Sequence, residues 1–271
     1  MKSFIYTFLL LFLFTNCEKV VDIDVPTGQE RLVIEASINW YDGTPGNEQK
    51  IILTKTAPYF GTSIPLALNA VVTITDSNNN SFNFIDTDNS GIYKTTTFTP
   101  VLDETYTLNI TYNNETYTAI ETLKSVSPID FIEQDNEGGF SGEEIEIKAY
   151  YTDPADQENY YFYQFDTDIA AIPMLEVYDD AFTNGNQIFA FFTEEDLKPE
   201  DELTINHFGV SEQFYEYMNL LLQQSNSDNG GPFQTQPATV RGNCINITNT
   251  ANFPLGYFRL SQAYTTNYTV E

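Results

Sequence analysis

The chain has 271 residues and a formal net charge of −28, from 39 acidic against 11 basic residues. That balance excludes nucleic acid as a natural partner, because binding phosphates requires a basic footprint, and it argues against electrostatic adsorption to anionic lipid. The chain carries 18 Tyr and 21 Phe beside a single Trp, a composition that favours pleated, half-buried strands.

At the start, Lys2 precedes a run from Phe4 to Phe14 that is apolar apart from Thr7. This run is too short to cross a bilayer as a helix. A basic start and a short apolar core are the marks of a secretory signal peptide. Cys17 follows where a bacterial lipoprotein signal peptidase would cut, so residues 1–16 read as a leader and Cys17 as a lipid-bearing first residue. Asn16 and Phe14 depart from the small residue and the Leu usual at such sites. The alternative is a secretory leader cut elsewhere, with Cys17 an ordinary thiol. Residues 17–29 read as a tether, broken at Pro26–Thr27–Gly28.

From residue 30 to 125, short β runs alternate with turn residues. Strands are expected at Leu32–Ile38, Lys50–Thr56, Ala70–Thr75, Phe82–Ile85, Tyr93–Phe98, Tyr106–Tyr112 and Thr116–Leu123. Seven strands at this spacing, with no helix signal, predict an antiparallel β-sandwich of the immunoglobulin or transthyretin type. Ser125–Val126–Ser127–Pro128 reads as a domain boundary.

Residues 126–271 then form a second β-rich domain. Strands are expected at Glu144–Tyr151, Asn159–Phe165, Leu175–Tyr178, Ile188–Phe192 and Leu203–Phe208. The run Asn159–Phe165 is almost continuously aromatic, as in a strand covered on both faces. Ser211 reads as the N-cap of one amphipathic helix over residues 211–224, with Phe214, Tyr217, Met218 and Leu221 at helical spacing. Ser225–Pro237 is a loop rich in breakers, holding Phe233 between Pro232 and Pro237. Thr239–Ile247 and Leu255–Thr265 read as a final strand pair. The fold class is therefore mostly β, two antiparallel sandwiches with a helix in the second.

Few residues can carry chemistry. His207 is the single histidine, so a histidine-based triad or zinc site would have to use it. The clusters Glu143–Glu146 and Glu194–Asp196 read as solvated faces rather than paired acids. Asp86–Gly91 resembles half of an EF-hand loop, but Lys94 and Thr97 stand where later ligands belong, so a polar turn is the ordinary reading. Cys244 reads as a small core residue. No catalytic residue, metal or cofactor is expected.

In the second half, Pro232–Phe233, Pro237–Ala238, Val240–Arg241–Gly242–Asn243 and Leu255–Gly256–Tyr257–Phe258 occur in order. Asp153–Pro154, Asn159–Tyr160–Tyr161, Phe182–Thr183–Asn184–Gly185 and Leu32–Val33–Ile34–Glu35 extend the pattern across the chain. Together they resemble a Bacteroidota lipoprotein family catalogued as a domain of unknown function (four-two-four-nine). The resemblance implies an outer-membrane lipoprotein, commonly beside a TonB-dependent transporter, with no established catalytic residues. Arg241, Gly242, Asn243, Gly256, Tyr257 and Phe258 are then a structural motif, and Arg241 is expected to pair with a carboxylate.

The resulting expectation is a non-catalytic binding or accessory component of outer-membrane nutrient uptake. Its anchor would be lipid on Cys17, its partner a TonB-dependent receptor, and its contacts Phe233, Tyr160, Tyr161 and Tyr163 in an aromatic cleft. A surface adhesin or scaffold, and then a carboxylate-dependent hydrolase, are the alternatives.

Overall fold

The computed structural model describes residues 28–59, 61, 63–139, 142–155, 157–225 and 239–271. Seven strands build the first half: β1 (Leu32–Tyr41), β2 (Gln49–Lys55), β3 (Val71–Asp76), β4 (Ser81–Phe84), β5 (Ile92–Thr95), β6 (Thr105–Tyr112) and β7 (Glu115–Thr122). The second half adds β8 (Ile129–Gly138), β9 (Glu144–Thr152), β10 (Tyr160–Thr167), β11 (Met174–Asp179), β12 (Gln187–Thr193) and β13 (Glu202–Val210). Helix α1 (Glu212–Ser225) follows, then β14 (Ile245–Asn246) and β15 (Leu255–Thr269).

The chain is mostly β and sandwich-like. A seven-stranded sheet runs β11-β10-β13-β15-β1-β2-β5, and two smaller sheets, β14-β7-β6-β3-β4 and β12-β9-β8, complete the set. One face of the large sheet buries Ile34, Ile38, Ile51 and Leu53 with Ile74, Leu108 and Ile110 of the five-stranded sheet. Further along that face, Tyr161, Tyr163, Phe165 and Ile205 meet Ile147, Ala149, Tyr151 and Phe192 of the three-stranded sheet. The opposite face carries Phe162, Phe208, Val210 and Tyr257, covered by Phe214 of α1. Period-2 alternation sends neighbouring residues of β10 to opposite faces, so its continuous aromatic run fills two cores at once.

Helix α1 starts as its sequence predicts. The Ser211 hydroxyl accepts from Phe214 N at 3.2 Å, satisfying one of the free amides of the first turn.

Three expectations need correction. The division at residues 125 and 126 does not separate two sheets. β1 pairs in parallel with β15 from Val33–Leu255 to Tyr41–Ala263, and the first core includes Cys244, Phe258 and Leu260 from the C-terminal half. The boundary segment is itself bound to β15. Gln262 N donates to Lys124 O at 2.8 Å, and Val126 N donates to Gln262 Oε1 at 3.1 Å. A Cβ at Gly209 would sit 1.9 Å from Ser125 O, so glycine there gives the crossing its room.

The final strands do not pair with each other. β14 is two residues long and joins β7, while β15 lies between β1 and β13. Strand β8 was not anticipated, because its sequence IDFIEQDNEG is acidic and only partly covered. A strand at the edge of a small sheet needs little apolar surface.

Candidate binding site

Of the three tyrosines expected to line a cleft, two are core residues. Tyr161 and Tyr163 are fully buried, and burial raises both hydroxyl pKa values well above the ordinary range. Tyr161 donates a short hydrogen bond to Asp153 Oδ1, while Asp153 Oδ2 accepts from Gly185 N at 2.9 Å. The Asp153–Pro154 and Thr183–Asn184–Gly185 pieces are thereby tied into one turn system. Cys17 and Phe233 lie outside the described residues.

Tyr160 alone of the three faces the helix side near solvent. It follows Glu158 and Asn159 at the entry to β10 and stands opposite Asp179 of β11. Tyr215, from the first turns of α1, packs against its ring with centroids 5.3 Å apart. The Tyr215 hydroxyl donates to Asp179 Oδ2 at 2.6 Å, and that bond with burial pushes its pKa up to about 12. Between these rings and Glu158, Asp179, Asp180, Glu212 and Glu216 is a half-open hollow of about 380 Å³.

A recess of about 190 Å³ adjoins it, lined by Lys124, Ser125, Asn159 and Val210 as well as Glu158, Tyr160 and Glu212. Asn159 is buried, and its Oδ1 has no hydrogen-bond partner among the described residues. Asp180, also buried, accepts from Asn159 N at 2.8 Å, and burial raises its pKa. The wall thus offers acceptors and two ring faces, a combination that favours a cationic or donor-rich group. Among the described residues, no three acids converge closely enough to hold a metal ion.

His207 lies in the middle of β13 rather than at its end. It is fully buried among Tyr151, Tyr161 and Tyr163. Burial lowers its pKa to about 3, with the Ser127 backbone only partly opposing that shift. Such an imidazole is neutral and closed to substrate, so it serves packing rather than proton transfer. The Asp86 carboxylate is likewise engaged, accepting from Ser90 N at 3.1 Å and Gly91 N at 3.0 Å. Cys244 is buried, and burial pushes its thiol pKa up to about 12, so it is inert core.

The C-terminal motif residues meet at one crossing. A Cβ at Gly242 would stand 1.7 Å from Gly256 O, and one at Gly256 would stand 2.0 Å from Ile34 O. Asn243 completes the contact: its Nδ2 donates to Phe258 O at 2.8 Å and its Oδ1 accepts from Phe258 N at 2.9 Å. The side chain therefore pairs with β15 as a strand backbone would. Among the described residues Arg241 meets no carboxylate; its guanidinium lies 3.7 Å over the Phe253 ring, with Arg31 3.6 Å from the same centroid. Phe253 is gripped by two cations. A structural role for glycines and an amide at this spacing follows from the geometry alone.

The model of the family described as "Domain of unknown function (DUF4249)" matches residues 18–267. The chain belongs to this family. No curated protein matches this chain. Among solved structures, a two-domain fibronectin type-III segment from chicken tenascin shares 12% identity over 60% of this chain and 85% of that one, with a TM-score of 0.22. A DUF4785 family protein from Legionella pneumophila shares 9% identity over 66% of this chain and 51% of that one, with a TM-score of 0.24. Likenesses of this size carry no functional argument.

Two polar residues of the family member escaped the sequence reading. Glu121 falls on the inward parity of β7, with Tyr117, Ala119 and Leu123, and accepts from Ser211 Oγ at 2.9 Å and Tyr257 OH at 3.3 Å. Burial raises its pKa despite those bonds. Arg259 shares its side of β15 with Tyr257, Ser261 and Ala263, and its pKa falls to about 10 through burial. It donates to Ser261 Oγ at 2.7 Å and Asn39 Oδ1 at 2.9 Å, and lies 4.5 Å over Phe208. The signal for both was a lone charge inside an inward-facing alternation.

Proposed function

We propose that this protein is a lipid-anchored, non-catalytic binding component of the outer membrane, working beside a TonB-dependent receptor in nutrient uptake. The binding half of this reading rests on one observation. Tyr160 and Tyr215 bring two aromatic rings to an open hollow walled by carboxylates, and among the described residues no histidine or cysteine lines it. Aromatic faces and fixed acceptors hold a ligand by stacking and charge, which suits capture and hand-over rather than turnover. The anchoring half is supported by the order of residues at the start: Lys2, the apolar run Phe4–Phe14, and then Cys17.

The test is recovery of partners from native membranes by the tagged full-length protein, by Cys17→Ser and by Tyr160→Ala. Cys17→Ser is expected in the soluble fraction, and Tyr160→Ala is expected to stay at the membrane with reduced ligand recovery. Cys17→Ser retained at the membrane would overturn the anchor. Unchanged recovery of ligand and receptor by Tyr160→Ala would overturn the role of the hollow.

A further inference from the structure

A second hollow opens on the helix side of the large sheet, over strands β1, β2 and β5. β1 and β2 pair from Leu32–Lys55 only as far as Glu35–Ile52. Beyond that point the buried Gln49 side chain bridges the strands. Its Nε2 donates to Asn39 O at 2.8 Å and Gly46 O at 3.0 Å, and its Oε1 accepts from Asn39 N at 3.1 Å. One amide thus replaces the missing ladder bonds, and a hollow of about 560 Å³ lies over the fork. Its wall includes Ser37, Asn39, Tyr41, Glu48, Lys50 and Lys94.

Lys50 and Lys94 are direct partners in the β2–β5 pair. Like charges directly opposite each other weaken a strand pair. Such a pairing stands out in a chain with 11 basic residues against 39 acids. Glu48 is the one acid among the described residues of the wall, so with the two lysines that wall carries a net positive charge within an acidic protein. Behind it, buried Arg259 donates to Asn39 Oδ1 at 2.9 Å. That bond fixes the amide with its oxygen toward Arg259 and its Nδ2 donating to the Tyr41 hydroxyl, which leaves the second Nδ2 hydrogen and the Tyr41 proton as donors.

We propose that this fork binds a small molecule through an oxyanion, either a carboxylate or a phosphate or sulfate group. Lys50 and Lys94 supply the charge, and Asn39 Nδ2 with the Ser37 and Tyr41 hydroxyls supplies neutral donors. A bound anion relieves the repulsion between the two lysines, so ligand binding and strand pairing reinforce each other. Arg259 acts as a positioning residue, through Asn39. The site is separate from the Tyr160 hollow and does not depend on the ligand proposed there.

The test is a titration of the protein, observed by amide and side-chain NMR, with sodium phosphate, sulfate or acetate against sodium chloride at matched ionic strength. A saturable response at Lys50, Lys94 and Asn39 to an oxyanion but not to chloride is expected. A stronger response to phosphate and sulfate assigns a tetrahedral group, and a stronger response to acetate assigns a carboxylate. Lys94→Gln should weaken binding about tenfold by removing one charge-assisted bond. Asn39→Asp keeps an acceptor for Arg259 but removes the donor and adds a negative charge, so binding should be lost while the thermal midpoint holds. The absence of a saturable response to all three oxyanions would overturn the site. So would an unchanged response in Lys94→Gln, an exposed substitution that leaves the core untouched.

Discussion

The His207 imidazole lies flat against the Tyr163 ring across the β10–β13 pair, with centroids 4.1 Å apart and planes 14° from parallel. Both residues are fully buried, and the imidazole has its pKa lowered to about 3 by burial. The unfolded chain takes up that proton near pH 6.5, where the folded chain refuses it. Stability from the neutral imidazole is therefore present above about pH 6.5 and is lost as pH falls toward 3.

His207→Phe keeps a planar ring on Tyr163 and removes the titration. Urea midpoints should fall less between about pH 6.5 and 4 in this variant than in the parent. The gap in pKa corresponds to at most about 5 kcal/mol at the acid end. Equal slopes in the two proteins would show that His207 is not the group excluded from protonation.

Tyr161 and Tyr163 should separate cleanly under hydroxyl deletion. Tyr161→Phe takes the donor from Asp153, a buried carboxylate whose other oxygen already serves Gly185. A loss of about 1–3 kcal/mol is expected in chemical denaturation. The Tyr163 hydroxyl makes no hydrogen bond of good geometry among the described residues, so Tyr163→Phe should change stability by less than about 0.5 kcal/mol. The reverse order would mean that the buried polar cluster is wired differently.

Gly242→Ala drives a methyl group into the Gly256 carbonyl, which a Cβ would approach to 1.7 Å. Backbone must move at the crossing, and the cost should be at or above the upper end of about 1–3 kcal/mol seen for overpacking. Gly28→Ala is the control, since a Cβ there meets nothing within 4 Å. Comparable thermal midpoints for the two variants would refute the close crossing.

Phe253→Leu should expose how Arg31 and Arg241 are held. Leucine keeps apolar bulk but offers neither guanidinium a π face, at 3.6 and 3.7 Å in the parent. A loss of about 1–2 kcal/mol is expected for two partly exposed cation–π contacts. Stability should be insensitive to replacing nearby carboxylates, and a carboxylate variant that matched Phe253→Leu would restore the ion-pair expectation for Arg241.

Much of the β content was legible because it depends on local pattern. β6 alternates Tyr106, Leu108 and Ile110 inward with Thr and Asn outward, and no other secondary structure buries such a series on one side. The α1 start was legible for the same reason: Ser211 caps the helix through a contact three residues away. Even Glu121 and Arg259 left a mark, as single charges on inward-facing parity. The aromatic run of β10 announced a strand covered twice, yet gave no means of telling which tyrosine stays near solvent. Tyr160 does so because it lines the hollow left between α1 and the turn after β11, a matter of where distant segments lie.

By itself the sequence determined the leader-like start, the acidic surface, the strand-rich composition, the helix cap and the order of the C-terminal motif. Tertiary structure decided that β1 and β15 join the two halves in one sheet, since parallel pairing across more than two hundred residues leaves no local trace. It also decided that Arg241 meets the Phe253 ring, and that Lys50 faces Lys94. Local alternation fixes which side of a strand a residue takes, but the neighbour across the ladder comes from register between remote segments.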